Sequence, residues 1–288
     1  MLSDIIDVLA DPIDGTALVG VDDFAHLVSE SGHNYDVAKQ GYVTLSGGKG
    51  LAHGGDSADM IAAREAFLSA GHFAPFVEAV TAAVTDALDD ADVPVDGRPA
   101  VCEVGAGTGY YLAHTLDSLP EARGVGVDVS TAAAKALAKS HPRTGAVVAD
   151  VWDGLPLRDG SIDVVSVVFA PRNPAEFARV LKEEGQVIVL TPEVGHLAEL
   201  REPLGILQVE QGKYERMVEQ AAGHLTVIGE PELIEFPMPL DRADIQAQVG
   251  MSPSARHIDA AELGERVVAL PETMTVTARA RLTRLARA

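Results

Sequence analysis

The chain has 288 residues, 47% of them hydrophobic, and sets 43 acidic against 22 basic side chains for a formal net charge of −21. Nothing approaches the roughly 18 uninterrupted apolar residues of a membrane helix, no basic stretch precedes an apolar core at the N-terminus, and the single cysteine, Cys102, allows neither a disulfide framework nor a cysteine-rich metal site. A cytoplasmic protein without a membrane partner is expected, large enough for one core and a satellite domain, and its acidity argues against a polynucleotide ligand unless basic groups are segregated.

In chain order, Ile5, Ile6, Leu9, Leu18, Phe24 and Leu27 supply an apolar cluster for a small N-terminal lobe. The glycine-rich run Gly47 to Gly55 reads as a linker or lid, which divides the chain into residues 1–55 and 56–288. Helices are expected over Ser57 to Ala70 and Phe73 to Leu88. At the break between them, His72 either caps a helix or faces a ligand. Asp56 and Asp59 stand where acids are expected on capping grounds alone.

An apolar run from Val101 then meets Glu103 and enters a loop with glycine at Gly105, Gly107 and Gly109, ahead of a short helix from Tyr110 to Leu119. Glycines at alternate positions let a backbone turn sharply and approach a ligand closely, and the helix start beyond offers free N–H groups. The dinucleotide spacing G-x-G-x-x-G fails, because Tyr110 stands three places after Gly107. A second run, Gly124 to Val127, ends at Asp128, where nucleoside-binding α/β folds hydrogen-bond a ribose diol. Val129 follows, and Ser130 is placed to N-cap a helix over Thr131 to Ser140.

The third run, Gly145 to Ala149, ends at Asp150, with Val151 and Trp152 close behind. The fourth, Ile162 to Phe169, closes with Ala170, Pro171 and Arg172; Asn173, Pro174 and Glu176 then read as an N-cap, a first-turn proline and a capping-box acid. A fifth strand, Gln186 to Thr191, stops at Pro192. Alternating βαβ units this apolar imply a parallel sheet covered on both faces, with ligands beyond the carboxyl ends of its strands. In the C-terminal third, a hairpin is expected over Leu225 to Phe236, a helix over Arg242 to Val249 and a strand over Thr273 to Leu282, with Arg279, Arg281, Arg284 and Arg287 gathered at the end.

The form E-x-G-x-G-x-G from Glu103 to Gly109 resembles the first motif of S-adenosylmethionine (SAM) dependent methyltransferases. That resemblance implies a class I, Rossmann-like α/β fold with a mostly parallel seven-stranded sheet beside the small N-terminal domain. SAM would be bound, and S-adenosylhomocysteine released, by Glu103, Gly105, Gly107, Gly109, Tyr110, Asp128, Val129, Asp150 and Val151, with His72 as a further cofactor-binding candidate.

Longer strings are more particular: Tyr35 to Val43, Gly55 to Met60, Ala63 to Phe73, Phe169 to Arg172, and Thr191-Pro192 with His196 to Leu200. They resemble the 23S rRNA guanine-N1 methyltransferases, the family that includes the tylosin- and mycinamicin-resistance enzymes. The resemblance implies an N-terminal RNA-recognition domain, a 23S rRNA hairpin as partner, a homodimer, and a substrate-side loop at Met251 to His257. Family members usually open with a zinc module, C-x-x-C then C-x-x-x-H. Here Asp11, Asp14 and Ser29 occupy the cysteine positions and only His33 remains, so no structural zinc is expected.

Guanine N1 carries a proton that methyl transfer must remove, and the base must be splayed into the pocket. Phe169 and Tyr110 are candidates to flank it, Arg172 to read O6 or balance phosphate, and Asp56 or Asp59 to accept the proton. The plainer readings are Phe169 as core, Arg172 as a surface ion pair and the two acids as first-turn residues. A small-molecule methyltransferase, or a SAM-binding protein that has lost RNA activity, are the competing functions.

Overall fold

The computed structural model describes residues 1–48, 51, 54–94 and 96–288; Lys49, Gly50, Ala52 and His53 of the expected linker lie outside the described residues. Helix α1 (Leu2–Ile5) is followed by a three-stranded antiparallel sheet of β1 (Leu18–Val21), β2 (His26–Ser29) and β3 (Asn34–Asp36), and then by β4 (Tyr42–Thr44). Helices α2 (Ala58–Ser69) and α3 (Ala74–Asp90) lead into the alternating region: β5 (Ala100–Val104), α4 (Tyr110–Ser118), β6 (Arg123–Asp128), α5 (Thr131–Leu137), β7 (Thr144–Val148), β8 (Ile162–Val168), α6 (Pro174–Val180) and β9 (Leu181–Pro192). The C-terminal part contributes α7 (Arg201–Leu204), α8 (Lys213–Ala221), β10 (Leu225–Asp241), α9 (Arg242–Gly250), α10 (Ala260–Val268) and β11 (Thr273–Arg287).

The large sheet runs β10-β11-β9-β8-β5-β6-β7-β4. The strands from β9 through β4 are parallel, while β11 is antiparallel to both β9 and β10. This is the class I methyltransferase arrangement with one strand more than the seven expected. The eighth is β4, where Tyr42, Val43 and Thr44 pair in parallel with Ala146, Val147 and Val148. Every residue of β5, β7 and β8 is buried, as a sheet covered on both faces requires. Side chains alternate between the faces: Val101 belongs to the same core cluster as Phe76, Leu112 and Val164, whereas Cys102 belongs to the one with Leu9, Val125 and Val165. The N-terminal cluster of Ile5, Leu9, Leu18 and Leu27 joins the core of that second face.

Two local expectations give way to longer-range pairing. Leu225 to Phe236 is not a hairpin but part of β10, which pairs with β11 from Leu225–Arg287 to Asp241–Thr273. The turn-forming Gly229 and Pro231 are absorbed by an irregularity between Ile228 and Glu232, a position where a sheet tolerates proline. Asn173 does cap α6, accepting from the Glu176 N–H, but the Glu176 carboxylate takes the Leu155 N–H at 2.7 Å and pairs with Arg179 instead of closing a capping box.

In the N-terminal lobe the four positions that the resemblance assigns to metal ligands do converge. Asp11 is buried, and its carboxylate accepts from the Ile13 N–H (2.8 Å), the Tyr35 hydroxyl (2.8 Å) and His33 Nδ1 (2.7 Å); Ser29 Oγ accepts the His33 N–H at 3.0 Å. Burial works against the Asp11 charge, yet these hydrogen bonds outweigh it and hold the carboxyl below its ordinary range. Asp14 is held at about 2 by hydrogen bonds from Ser31 and Thr16, and its Oδ2 lies 3.9 Å from His33 Nδ1. Oxygen donors of this kind fit zinc poorly, since a closed zinc site favours thiolate and imidazole. The hydrogen bonds around Asp11 tie β2 and β3 to the preceding turn without soft ligands. Asp11→Asn is expected to lower unfolding free energy by about 1–3 kcal/mol in urea titration; an unchanged midpoint and slope would remove Asp11 from this role.

Candidate active site

The glycine loop leaves the carboxyl end of β5 in the middle of the sheet, and its conformation demands glycine. Gly105 has φ +71°, and a Cβ there would stand 2.4 Å from the Ala170 Cβ. Gly107 has φ +55°, and a Cβ would press on Arg64 Cδ at 3.2 Å. Its N–H donates to Asp128 Oδ2 at 2.8 Å, while Asp128 Oδ1 accepts the Ser130 N–H at 2.8 Å. Ser130 in turn caps α5 by accepting the Ala133 N–H, and donates to the Asp56 carbonyl at 2.7 Å. One carboxylate thus fixes the loop after β5 relative to the helix after β6. Burial is the main influence on Asp128 and raises its pKa; the two N–H donors oppose it.

Beside this loop opens a small cleft. It is lined by Gly105, Gly107 and Tyr110 of the loop and α4, by Arg64, Leu68 and Phe73, and by Glu103, Phe169 and Met251. Glu103 is fully enclosed, accepts the Leu112 N–H at 2.9 Å, and has its pKa pushed up to about 8 by burial, with the Asp128 charge adding to it. It supports the start of α4 from beneath.

Arg64 was not among the sequence candidates. Its Nη2 donates to Asp56 Oδ2 (2.6 Å) and to the Met251 carbonyl (2.9 Å), while its Nε is buried with no partner on the cleft side. The arginine sits inside the Ala63 to Phe73 string, one residue before Glu65, and its spacing gave no separate signal for the cleft. Met251 was reached from the sequence only through the resemblance, and it does line the cleft.

The remaining candidates divide. Asp150 is buried and accepts the Trp152 N–H at 3.0 Å; Val151 is buried, with its carbonyl held by Asn173 Nδ2; and half-buried Val129 follows Asp128 at the end of β6. All three lie at the strand ends, on the Asp128 side. Phe169 has φ +53°, costly for an aromatic residue, and keeps 36% of its surface exposed while its ring sits 5.8 Å from Phe76 and 5.9 Å from His196. It is a rim residue rather than a core one. Asp56 is engaged on both oxygens, by Arg64 and by Arg256 at 3.1 Å. Asp59 is an exposed first-turn acid of α2. His72 is not brought to the cleft: its ring packs on Phe67 and its Nε2 lies 3.0 Å from Asp244 Oδ1. Arg172 is half-buried and makes no ion pair among the described residues. The C-terminal arginines form no free patch, since Arg279 pairs with Glu235, Arg281 with Glu193 and Arg284 with Asp90.

One feature of this cleft suits the carboxylate of SAM: the Arg64 Nε is a buried donor without a partner among the described residues. Residues 101–188 match the methyltransferase domain family. The chain is 44% identical over 261 residues to the "Putative 23S rRNA (guanine-N(1)-)-methyltransferase" of Micromonospora griseorubida, covering 88% of each chain. It is 41% identical over 249 residues to the 23S rRNA (guanine(748)-N(1))-methyltransferase of Streptomyces fradiae, covering 86% of each. The chain belongs to the 23S rRNA (guanine-N1)-methyltransferase family. It is therefore a SAM-dependent methyltransferase. Among solved structures it is similar to a SAM-dependent methyltransferase of Thiobacillus denitrificans in complex with S-adenosyl-L-homocysteine, at 13% identity, a TM-score of 0.45 and coverage of 73% of this chain and 91% of that one.

Within this methyltransferase, Glu103 makes a pH-dependent prediction. Its folded pKa of about 8 exceeds the ordinary 4.5, so between those values the native state holds a proton that the unfolded chain has released. Stability attributable to this group therefore falls as pH rises through that window. Glu103→Gln, which keeps an acceptor for Leu112, should gain on the parent by about 1 kcal/mol or more between pH 5 and pH 8 in urea titrations. A constant difference across the window contradicts the assignment.

Proposed function

We propose that this methyltransferase transfers a methyl group to N1 of a guanine in a 23S rRNA hairpin, releasing S-adenosylhomocysteine and the N1 proton. The observation that carries the reading is identity to both named rRNA enzymes over most of the chain, well beyond the methyltransferase core of residues 101–188. When bound, SAM supplies a methyl group already activated by its sulfonium.

The chain's own residues then have these tasks. The loop of Gly105, Gly107 and Gly109 admits the cofactor to close backbone contact, and Arg64 receives its carboxylate. Asp128 holds the ribose hydroxyls with the lone pairs left after Gly107 and Ser130 are served. Tyr110, Val129, Asp150 and Val151 bound the cofactor's nucleoside, Glu103 supports the loop from below, and His72 orders the α2–α3 break. Phe169, exposed at the rim, offers a face on which a splayed base can stack. Alignment of N1 with the methyl group provides most of the acceleration. Asp56, held on both oxygens by arginines, is better suited to fixing Arg64 than to taking the N1 proton.

The oxygen-rich set at Asp11, Asp14, Ser29 and His33 supports an N-terminal lobe that folds without zinc; contact of that lobe with RNA, in a cytoplasmic homodimer, is the part of this reading that rests on the family. A small-molecule substrate is the second reading, favoured by the net charge of −21. Because a methyl group at N1 blocks Watson–Crick pairing, reverse transcription of 23S rRNA separates the two. A stop at one guanine in cells carrying the gene, lost on deletion, is expected; identical extension patterns in both strains contradict the rRNA assignment.

A further inference from the structure

The guanidinium of Arg64 is set in place by the protein itself. Its Nη2 donates to Asp56 Oδ2 at 2.6 Å and to the Met251 carbonyl at 2.9 Å, which uses both hydrogens of that nitrogen and fixes the plane of the group. Its Nε is shut away from solvent and has no acceptor among the described residues. A Cβ at Gly107 would stand 3.5 Å from that Nε, so the unsatisfied donor lies against the glycine loop. A buried donor held there calls for an acceptor from a ligand.

Asp56, which holds Arg64, is held in turn. Its other oxygen, Oδ1, accepts from Arg256 Nη2 at 3.1 Å, and the same nitrogen donates to the Gly55 carbonyl at 3.1 Å. Gly55 has φ +65°, and a Cβ on it would stand 2.7 Å from that of Ser130, so this segment is pressed on the cap of α5. Arg256 closes a short 3-10 turn, Pro253–Arg256, that begins two residues after Met251. That turn is anchored on its own account, because the Ser254 hydroxyl accepts the Leu207 N–H at 3.1 Å. The helix before it, α9, ends against α2: a Cβ on Gly250 would lie 3.1 Å from that of Ala63. The segment after α9 therefore grips Arg64 twice, directly through the Met251 carbonyl and indirectly through Arg256 and Asp56. These contacts close a ring, yet Arg256 itself keeps 53% of its side chain exposed.

We infer that Arg256 is a positioning residue for the cofactor: through Asp56 it holds Arg64 in the orientation that lets Nε meet the carboxylate of SAM. This rests on the placement of that carboxylate at Arg64 given above. The amino-acid end of the cofactor and the segment from Met251 to Arg256 then share one set of hydrogen bonds, while the nucleoside end depends on Asp128. A change at Arg256 is felt at the first end and not at the second. Its size is modest, since Arg256 acts from an exposed ion pair.

The test compares two ligands by calorimetry: S-adenosylhomocysteine, and 5′-methylthioadenosine, which lacks the amino-acid end. They are titrated into the full chain, Arg256→Gln, Arg256→Lys, Arg64→Gln and the Arg64→Gln/Arg256→Gln double variant. Arg98→Gln, whose partner Asp4 lies in α1, is the control and should match the parent. Arg256→Gln should bind S-adenosylhomocysteine about threefold more weakly and methylthioadenosine as the parent does, and Arg256→Lys should recover most of the loss. Arg64→Gln should lose about tenfold for S-adenosylhomocysteine, and adding Arg256→Gln to it should cost nothing further. Parent-like affinity of Arg256→Gln for S-adenosylhomocysteine overturns the inference. Equal losses for the two ligands, or a penalty that persists in full without Arg64, overturn it as well. If Arg64→Gln binds S-adenosylhomocysteine like the parent, the carboxylate is held elsewhere and the inference falls with its placement; a parent that binds neither ligand contradicts the cofactor site as a whole.

Discussion

The site depends on one carboxylate. Asp128 takes the Gly107 N–H on one oxygen and the Ser130 N–H on the other, both at 2.8 Å, and so fixes two adjacent strand ends relative to one another. The glycine loop has three residues with positive φ in five positions, a conformation that would wander without an anchor. Ser130 extends the anchor by hydrogen-bonding the Asp56 carbonyl, which brings in the segment ahead of α2 and, through Arg64, one wall of the cleft. Cofactor pocket, α2 wall and α5 cap are one connected set of hydrogen bonds.

Charge is organised by the same economy. The gathered C-terminal arginines are spent on Glu235, Glu193 and Asp90, bracing β11 against its neighbours and the end of α3, so the segregated basic face that the sequence invited one to look for is not at the C-terminus.

Much of this was legible in the residues, for definite reasons. Continuous apolar runs, three of them ending at an acid, announced β5 through β9, because strands buried on both faces admit few polar side chains and the sheet's carboxyl ends must carry the chemistry. Caps at Ser130 and Asn173 were legible because capping is local. What escaped was decided by partners distant in sequence. β4 has three residues and one fully buried side chain, too little pattern to announce a strand, and it exists because β7 offers an open edge. Gly229 and Pro231 carry turn signals that the long ladder with β11 overrides. Glu176 meets Leu155 and Arg179 only in the folded chain. Arg64 reaches the cleft through the packing of α2 beside the loop and α9, and His72 leaves it because Asp244 of α9 lies within its reach.

The most direct measurement is calorimetric titration of the purified protein with S-adenosylhomocysteine, beside Asp128→Asn. One site per chain, weakened about tenfold or more by the substitution, is the predicted outcome, since a hydrogen bond to a charged acceptor contributes about 1.5–3 kcal/mol. No detectable binding to the parent, or equal affinity in the two proteins, contradicts the placement of the nucleoside at this carboxylate.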